Sequence, residues 1–197
     1  MNNTEQRFDK ILKIRTSGRD DTNADEYNYP YEPTPYSVLE RLGNSGLIGK
    51  KNMLIDYGCG KGRAGFYLSY QCRCKSYGVE YDERIYRAAI ANKEKSGSGR
   101  CDFHLGKAED FLLPPESDRF YFFNPFSVEI LFSVLNKILD SYYENPREML
   151  LFFYYPSEEY IAHLMTHDGF SFYDEIDCED LFLGSNKRER IIIFSVD

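Results

Sequence analysis

From residue 51 onward, apolar and polar positions alternate between the period of a strand and that of a helix. Met53-Leu54-Ile55-Asp56 is a short apolar run, followed by glycines and a helical pattern over 62–71. Ser76 to Glu80 reads as a second strand, and Asp82 as the cap of a helix with Ile85, Ala88 and Ala89 on one face. Lys93 to Arg100 is polar and glycine-bearing and reads as a solvated loop before a third strand, Cys101 to Leu105. Phe120 to Phe123 forms a fourth strand, ending at Asn124-Pro125. After Ser127, a predicted cap, Ile130, Leu131, Val134, Leu135, Ile138 and Leu139 form one apolar stripe at helical spacing. Met149 to Tyr155 is continuously apolar, as expected of a strand covered on both faces. Ser157 opens a further helix that stops at Asp168-Gly169, and Phe170 to Ile176 and Arg190 to Val196 read as two closing strands.

Strands alternating with helices imply one α/β domain built on a mainly parallel sheet with right-handed crossovers. The domain is expected over 27–197, with no second domain and no internal repeat. Residues 1–26 are polar apart from Ile11, Leu12 and Ile14, and read as a mobile tail with a helical turn or two. Three prolines between Pro30 and Pro35 favour an extended segment, after which Ser37 is expected to cap a short helix ended by Gly43.

The 197 residues suffice for an ordinary core without staples. Aromatic residues reach 16%, with 17 Tyr, 15 Phe and no Trp, and are expected mostly as core. The formal net charge of −8 argues against broad binding to nucleic acid, because phosphate contacts need Lys and Arg. It suits a small molecule, a basic protein segment or a cationic cofactor. Five cysteines without a Cys-x-x-Cys pair, no signal pattern and no membrane-spanning run fit a reduced, cytoplasmic setting. No metal site is expected. Cys72-Arg73-Cys74 has no second ligand pair, and His163-Leu-Met-Thr-His167 lacks the glutamate of a zinc protease helix.

The chemistry concentrates in Ile55-Asp56-Tyr57-Gly58-Cys59-Gly60-Lys61-Gly62-Arg63, between the first core strand and its helix. Ligands of open α/β sheets bind at the carboxyl ends of strands, near the topological switch point. Glu80 ends the second strand, where an acid can accept both hydroxyls of a ribose. Gly60 to Gly65 also spells the G-x-G-x-x-G of nicotinamide enzymes, but four residues beyond Asp56 rather than directly after the strand. A carboxylate at the strand tip repels a pyrophosphate and suits an ammonium group, which favours an amino-acid-bearing nucleoside. A nicotinamide oxidoreductase is the minor alternative.

Asp56-x-Gly58-x-Gly60-x-Gly62 followed by Glu80 resembles motif I and the second-strand acid of class I methyltransferases, over roughly residues 30–197. The resemblance implies a three-layer, doubly wound α/β fold whose seven-stranded, mainly parallel sheet ends in an antiparallel strand. It implies S-adenosyl-L-methionine as cofactor. Asp56 and the loop of Gly58, Gly60 and Gly62 would hold its methionine part, Glu80 its ribose, and Ala108 or Glu109 its adenine. Lys107 stands where many relatives carry Asp. Tyr31-Glu32-Pro33-Thr34-Pro35 is similar to the segment ahead of motif I in seven-strand protein-lysine methyltransferases, which would give Thr34 a bond to the cofactor carboxylate.

Asn124-Pro125-Phe126 is similar to the Asn-Pro-Pro-Tyr/Phe motif of amino-group methyltransferases, with the second proline missing. That likeness makes Asn124, Pro125 and Phe126 the candidate catalytic residues; a plain turn and core role is the alternative. A nitrogen acceptor, either a small amine or a protein side chain, is therefore expected ahead of nucleic acid, with no membrane role. A cofactor-binding partner or sensor without catalysis is the second reading.

Overall fold

The computed structural model describes residues 3–197. Among these residues six α-helices and seven strands follow one another as α1 (Asn3–Leu12), α2 (Tyr36–Gly43), β1 (Met53–Tyr57), α3 (Arg63–Cys72), β2 (Lys75–Glu80), α4 (Glu83–Ser96), β3 (Cys101–Leu105), β4 (Arg119–Phe122), α5 (Val128–Glu144), β5 (Leu150–Tyr154), α6 (Glu158–Thr166), β6 (Phe170–Asp177) and β7 (Arg190–Val196). The seven strands form one sheet in the order β3-β2-β1-β4-β5-β7-β6. β1 pairs in parallel with both β2 and β4, so the order reverses between β1 and β4. β7 runs antiparallel between β5 and β6. The expected three-layer, doubly wound architecture with an antiparallel closing strand is the one observed.

Two packed faces follow from the period-2 alternation of buried strands. Ile55, Phe122, Phe153 and Phe194 face α5 and α6, meeting Leu131, Val134, Ile138, Tyr160 and Leu164. Leu54, Tyr121, Phe152 and Ile193 face α2 and α3, meeting Leu39, Leu42, Tyr67 and Leu68. Much of the aromatic excess lies in this core. Tyr57 stacks on Phe122 at 5.2 Å between ring centres, Phe122 stacks on Phe153 at 4.6 Å, and Phe153 meets Phe194 edge-on. These rings climb the sheet from β1 to β7 and tie its centre together.

Four expectations need correction. Part of the tail expected over 1–26 is ordered on the domain: α1 forms there, and Asp9, Ile14 and Thr16 are buried. Phe8 of α1 lies 5.1 Å from the rings of both Tyr36 and Tyr67. The segment is held by Phe8, Leu12 and Ile14 and by charge, too few apolar positions for a stripe to register. The helix start expected at Ser37 is capped instead at Pro35, whose fixed φ suits the position but which offers no side-chain bond. Lys93 to Ser96 belongs to α4; its lysines favour a helix C-terminus, and Gly97 at φ +64° closes it. Ser127 precedes α5 but makes no capping hydrogen bond. Asp82 and Ser157 cap as expected, accepting from Arg84 and Ile85 N–H and from Tyr160 N–H respectively.

Candidate functional site

At the carboxyl ends of β1, β2 and β4 the reversal of strand order opens a cleft of about 900 Å3, solvent at its mouth included. Asp56 lies in β1 beside Tyr121 of β4, its register partner. The turn after β1 is drawn under β2, where Gly58 N–H and Cys59 N–H both donate to the Val79 carbonyl, at 2.9 and 3.0 Å. Gly58 adopts φ +69°, and a Cβ there would lie 2.4 Å from Pro125. Gly60 adopts φ +58°, and a Cβ would lie 2.1 Å from the Tyr31 ring. Both positions therefore need glycine twice over, for their conformation and for the close approach of a neighbour. Gly62 caps α3 and packs on Phe66 and Phe103, away from the cleft lining.

Glu80 is the hinge of the site. Its Oε2 accepts from Gly60 N–H and its Oε1 from Asp82 N–H, each at 2.9 Å, while its carbonyl accepts from Gly106 N–H. One carboxylate thus fixes the glycine turn and the start of α4, and its carbonyl anchors the loop carrying Ala108 and Glu109. Gly106, Ala108 and Glu109 line the cleft with Asp56, Gly58, Glu80 and Thr34. The expected cofactor residues Thr34, Asp56, Gly58, Glu80, Ala108 and Glu109 are therefore brought together. Gly60 and Gly62 shape the turn from behind.

Asp56 is 4% exposed, and its Oδ2 has no hydrogen-bond partner among the described residues. Burial lifts its pKa to about 7; the Gly65 amide opposes the rise and the Glu80 charge adds to it. Burial likewise lifts Glu80 to about 7, against the amides of Asp82 and Gly60. Both native values lie above those of the unfolded chain. The two groups thus contribute stability that is full below about pH 4 and is lost as pH rises through about 7. A bound cation, or hydroxyls donating to the carboxylates, favours the ionised forms and reverses the balance. Cationic-ligand affinity is expected to rise about tenfold or more per pH unit from 5.5 to 7 and then level off. Calorimetry in buffers of different ionisation heat at pH 6.5 should register proton release. A flat affinity from pH 5.5 to 8 would remove the role of these acids.

Three further lining residues escaped the sequence reading. Tyr31 covers Gly60, and its hydroxyl donates to the Thr16 carbonyl at 2.5 Å. The Tyr121 hydroxyl lies 2.9 Å from that of Thr34. Arg63 opens α3, is 3% exposed, and donates to the Thr34 carbonyl at 3.1 Å. Arg63 directly follows the glycine loop, which was its one local signal. The segment before α2 roofs the cleft: Asn23 donates to Asp82 at 2.8 Å, and Tyr81 donates to the Asn23 carbonyl.

Beyond β4, Asn124 takes φ +44°, and its buried Oδ1 has no partner among the described residues. A non-glycine residue in that region is strained and needs its surroundings to hold it. Pro125 and Phe126 line the cleft; Asn124 is absent from the lining. The Pro125 carbonyl already accepts from Tyr29 N–H at 3.1 Å, and Tyr27 O accepts from Ser127 N–H at 2.8 Å, so the roof is latched onto this corner. His163 and His167 lie far from it in sequence and pack with Phe132.

A family model described as a methyltransferase domain matches residues 48–147, just over half the chain. The chain belongs to that family. Its fold and glycine turn are those of class I methyltransferases, which use S-adenosylmethionine. A protein-lysine N-methyltransferase of Saccharolobus islandicus is 34% identical over 79 residues, 39% of this chain and 49% of that protein. The chain thus spans about half the length of the curated relative it matches. Among solved structures, the dimethyladenosine transferase of Plasmodium falciparum is similar with TM-score 0.58 at 15% identity, over 84% of this chain and 63% of that one. An RNA methyltransferase of Salinibacter ruber, solved with S-adenosyl-L-homocysteine, gives TM-score 0.56 at 16% identity, over 84% of this chain and 94% of that one. Mitomycin 7-O-methyltransferase gives 0.63 at 12% identity, over 82% of this chain and 53% of that one. Those enzymes differ in acceptor, so the likeness shows the fold and leaves the acceptor to the site. Among the described residues no helix is long and apolar enough to cross a membrane.

Proposed function

We propose that the protein transfers the methyl group of S-adenosylmethionine to a nitrogen nucleophile, with a protein lysine amine as the favoured acceptor. The observation that carries the cofactor reading is Asp56, a buried carboxylate with an unpartnered oxygen beside a glycine turn. A buried acceptor without a donor is costly unless a ligand supplies one. The ammonium of the cofactor's methionine part is such a donor. Each Glu80 oxygen holds one backbone N–H and retains acceptor capacity for ribose hydroxyls. Ala108 and Glu109, expected by resemblance at the adenine, line the same cleft, and Gly58 lets the backbone approach.

The bound cofactor supplies an already activated methyl on a sulfonium, so the chain must align the nucleophile and keep it free of water and of its proton. Phe123, Phe126, Ile130 and Tyr29 make the Pro125 end of the cleft largely apolar. Such surroundings disfavour an ammonium and lower its pKa. Asn124, set between the lining residues Phe123 and Pro125, keeps a buried Oδ1 without a partner among the described residues to orient the resulting amine, and the Pro125 carbonyl, which accepts from Tyr29 N–H, retains a second lone pair beside it. The relative that methylates protein lysine supports the same acceptor class. The lining also disfavours RNA: among the described residues it carries Asp56, Glu80 and Glu109 beside Arg63, and Asp20, Asp82 and Glu32 are paired with Arg84 and Arg19.

Incubation with methyl-labelled S-adenosylmethionine and either lysine-bearing proteins or RNA tests this reading. Label is expected in the protein fraction, at lysine. Label in RNA alone would overturn the acceptor, and saturable binding without any transfer would leave a cofactor-binding sensor.

A further inference from the structure

The cleft is rich in carboxylates, and the opposite end of the sheet carries the other sign. A shallow depression lies at the amino ends of β2 and β3, where α1, α3 and α4 all finish. Its floor is apolar. Leu12 and the buried Phe66 line it, together with Ile11 and Tyr70, which are 45% and 57% exposed. Its charge comes from Lys13, Arg73 and Arg100, and no acidic residue lines it among the described residues. None of the three cations is in an ion pair among the described residues. Arg100 Nη1 donates instead to the Arg73 carbonyl at 3.0 Å, which draws the two arginines together. In a chain of net charge −8, such a cluster runs against the average.

The backbone adds a second observation. α1 ends with Lys13 N–H bonded to the Lys10 carbonyl at 3.2 Å and Ile14 N–H to the Asp9 carbonyl at 2.9 Å, with Lys13 at φ +57°. Arg73 follows α3 at φ +61°. Glycine is favoured at such helix ends, because a Cβ is strained there, and Gly97 takes that place after α4. After α1 and α3 the chain carries a long cation instead. A cation anywhere in the last turn gains from the helix dipole, so that benefit does not require the left-handed position.

We propose that this depression is a docking site for an acidic, extended segment of a partner protein, which sets one apolar side chain on the floor and its carboxylates against Lys13, Arg73 and Arg100. Tyrosine and arginine around a pocket are the side chains from which protein contacts draw much of their energy. The guanidinium fork matches a carboxylate. A nucleic acid fits less well, since its phosphates need a long cationic track and the overall charge of the chain repels it. The ten residues of α3 run from Arg63 at the cleft to Cys72 beside the depression, a length of about 15 Å. A partner held there leaves the cleft open, whichever acceptor the cleft serves.

Fluorescence anisotropy on the full-length protein, with a short labelled peptide of Asp and Glu around one central Phe, provides the test. The comparison probes are the same peptide with Ser for Phe and a single-stranded oligonucleotide of equal charge. The Phe peptide is expected to bind about tenfold more tightly than either, from burial of its ring, and more weakly as salt rises. Tyr70→Ala should narrow the gap between the two peptides. Arg73→Gly removes a cation and relieves its backbone, so it should weaken the Phe peptide about two- to fivefold while melting at the same or a higher temperature. Adding Arg100→Ser should bring the loss to about tenfold. Equal or tighter binding of the oligonucleotide would make this a nucleic-acid face and overturn the partner class. No binding of any probe, or unchanged affinity in the double variant, would leave the cations as helix-end charges alone. Sedimentation of the protein by itself should show no self-association that the double variant abolishes; such self-association would give the surface to a second copy and overturn the proposal.

Discussion

Replacement of Glu80 by Ala is expected to weaken S-adenosylmethionine binding by about 100-fold or more, while the protein stays folded. Two losses combine. The ribose would lose hydrogen bonds to a charged acceptor, each worth about 1.5–3 kcal/mol. The glycine turn would lose its tether, because Glu80 alone joins Gly60 N–H to Asp82 N–H across the cleft floor. Folding should suffer less. The carboxylate is 5% exposed, and its burial already raises its pKa to about 7, so removing it also removes a desolvation cost. Glu80→Gln separates the two contributions. Its amide oxygen can keep one backbone N–H, but its NH2 faces the other donor and it carries no charge, so an intermediate loss is expected. Calorimetry gives the affinities, and thermal melting without ligand gives the folding control. Affinity within about threefold of wild type in Glu80→Ala, against that 100-fold expectation, would mean that the ribose is held elsewhere.

The sheet was legible in the sequence because its strands are short apolar runs separated by helical stripes, a pattern that local periodicity records. Asp56, Gly58 and Glu80 were legible for the same reason: they sit at strand ends, and strand ends face the ligand in this architecture. The residues that were missed depend on contacts distant in sequence. Tyr121 matters because register sets it beside Asp56, 65 positions earlier. Tyr31 matters because it covers Gly60, and Asp9 because it faces Arg63. No local pattern carries those pairings. The N-terminal helix was the largest omission, since Glu5 and Asp9 reach partners distant in sequence while only Phe8, Leu12 and Ile14 supply its apolar contacts.

The same wrapping links the two halves of the site. The roof segment is bonded at one end of the cleft, through Asn23 to Asp82, and at the other, through Tyr29 N–H to the Pro125 carbonyl. The positive φ of Asn124 falls at that latch, where surrounding contacts can sustain a strained backbone.

Asn124→Ala should separate binding from chemistry. Turnover is expected to fall about 10- to 100-fold, the effect of losing one orienting hydrogen bond of about 1–3 kcal/mol in the reacting complex. Cofactor affinity should hold, because Asn124 makes no hydrogen bond to Asp56, Glu80 or Arg63. Stability should change little or rise, since the substitution removes a buried acceptor that has no partner in the free protein, although alanine tolerates φ +44° less well than asparagine. Asn124→Gly relieves that backbone strain and serves as the control: it should match the alanine variant in turnover while melting at the same or a higher temperature. Asn124→Asp offers a sharper contrast. A carboxylate there would attract the ammonium form of the amine and hold its proton in place, so turnover should recover only as pH rises. Unchanged turnover in Asn124→Ala would assign the residue to the turn alone, and orientation of the acceptor would then fall to the Pro125 carbonyl and the ring of Phe126.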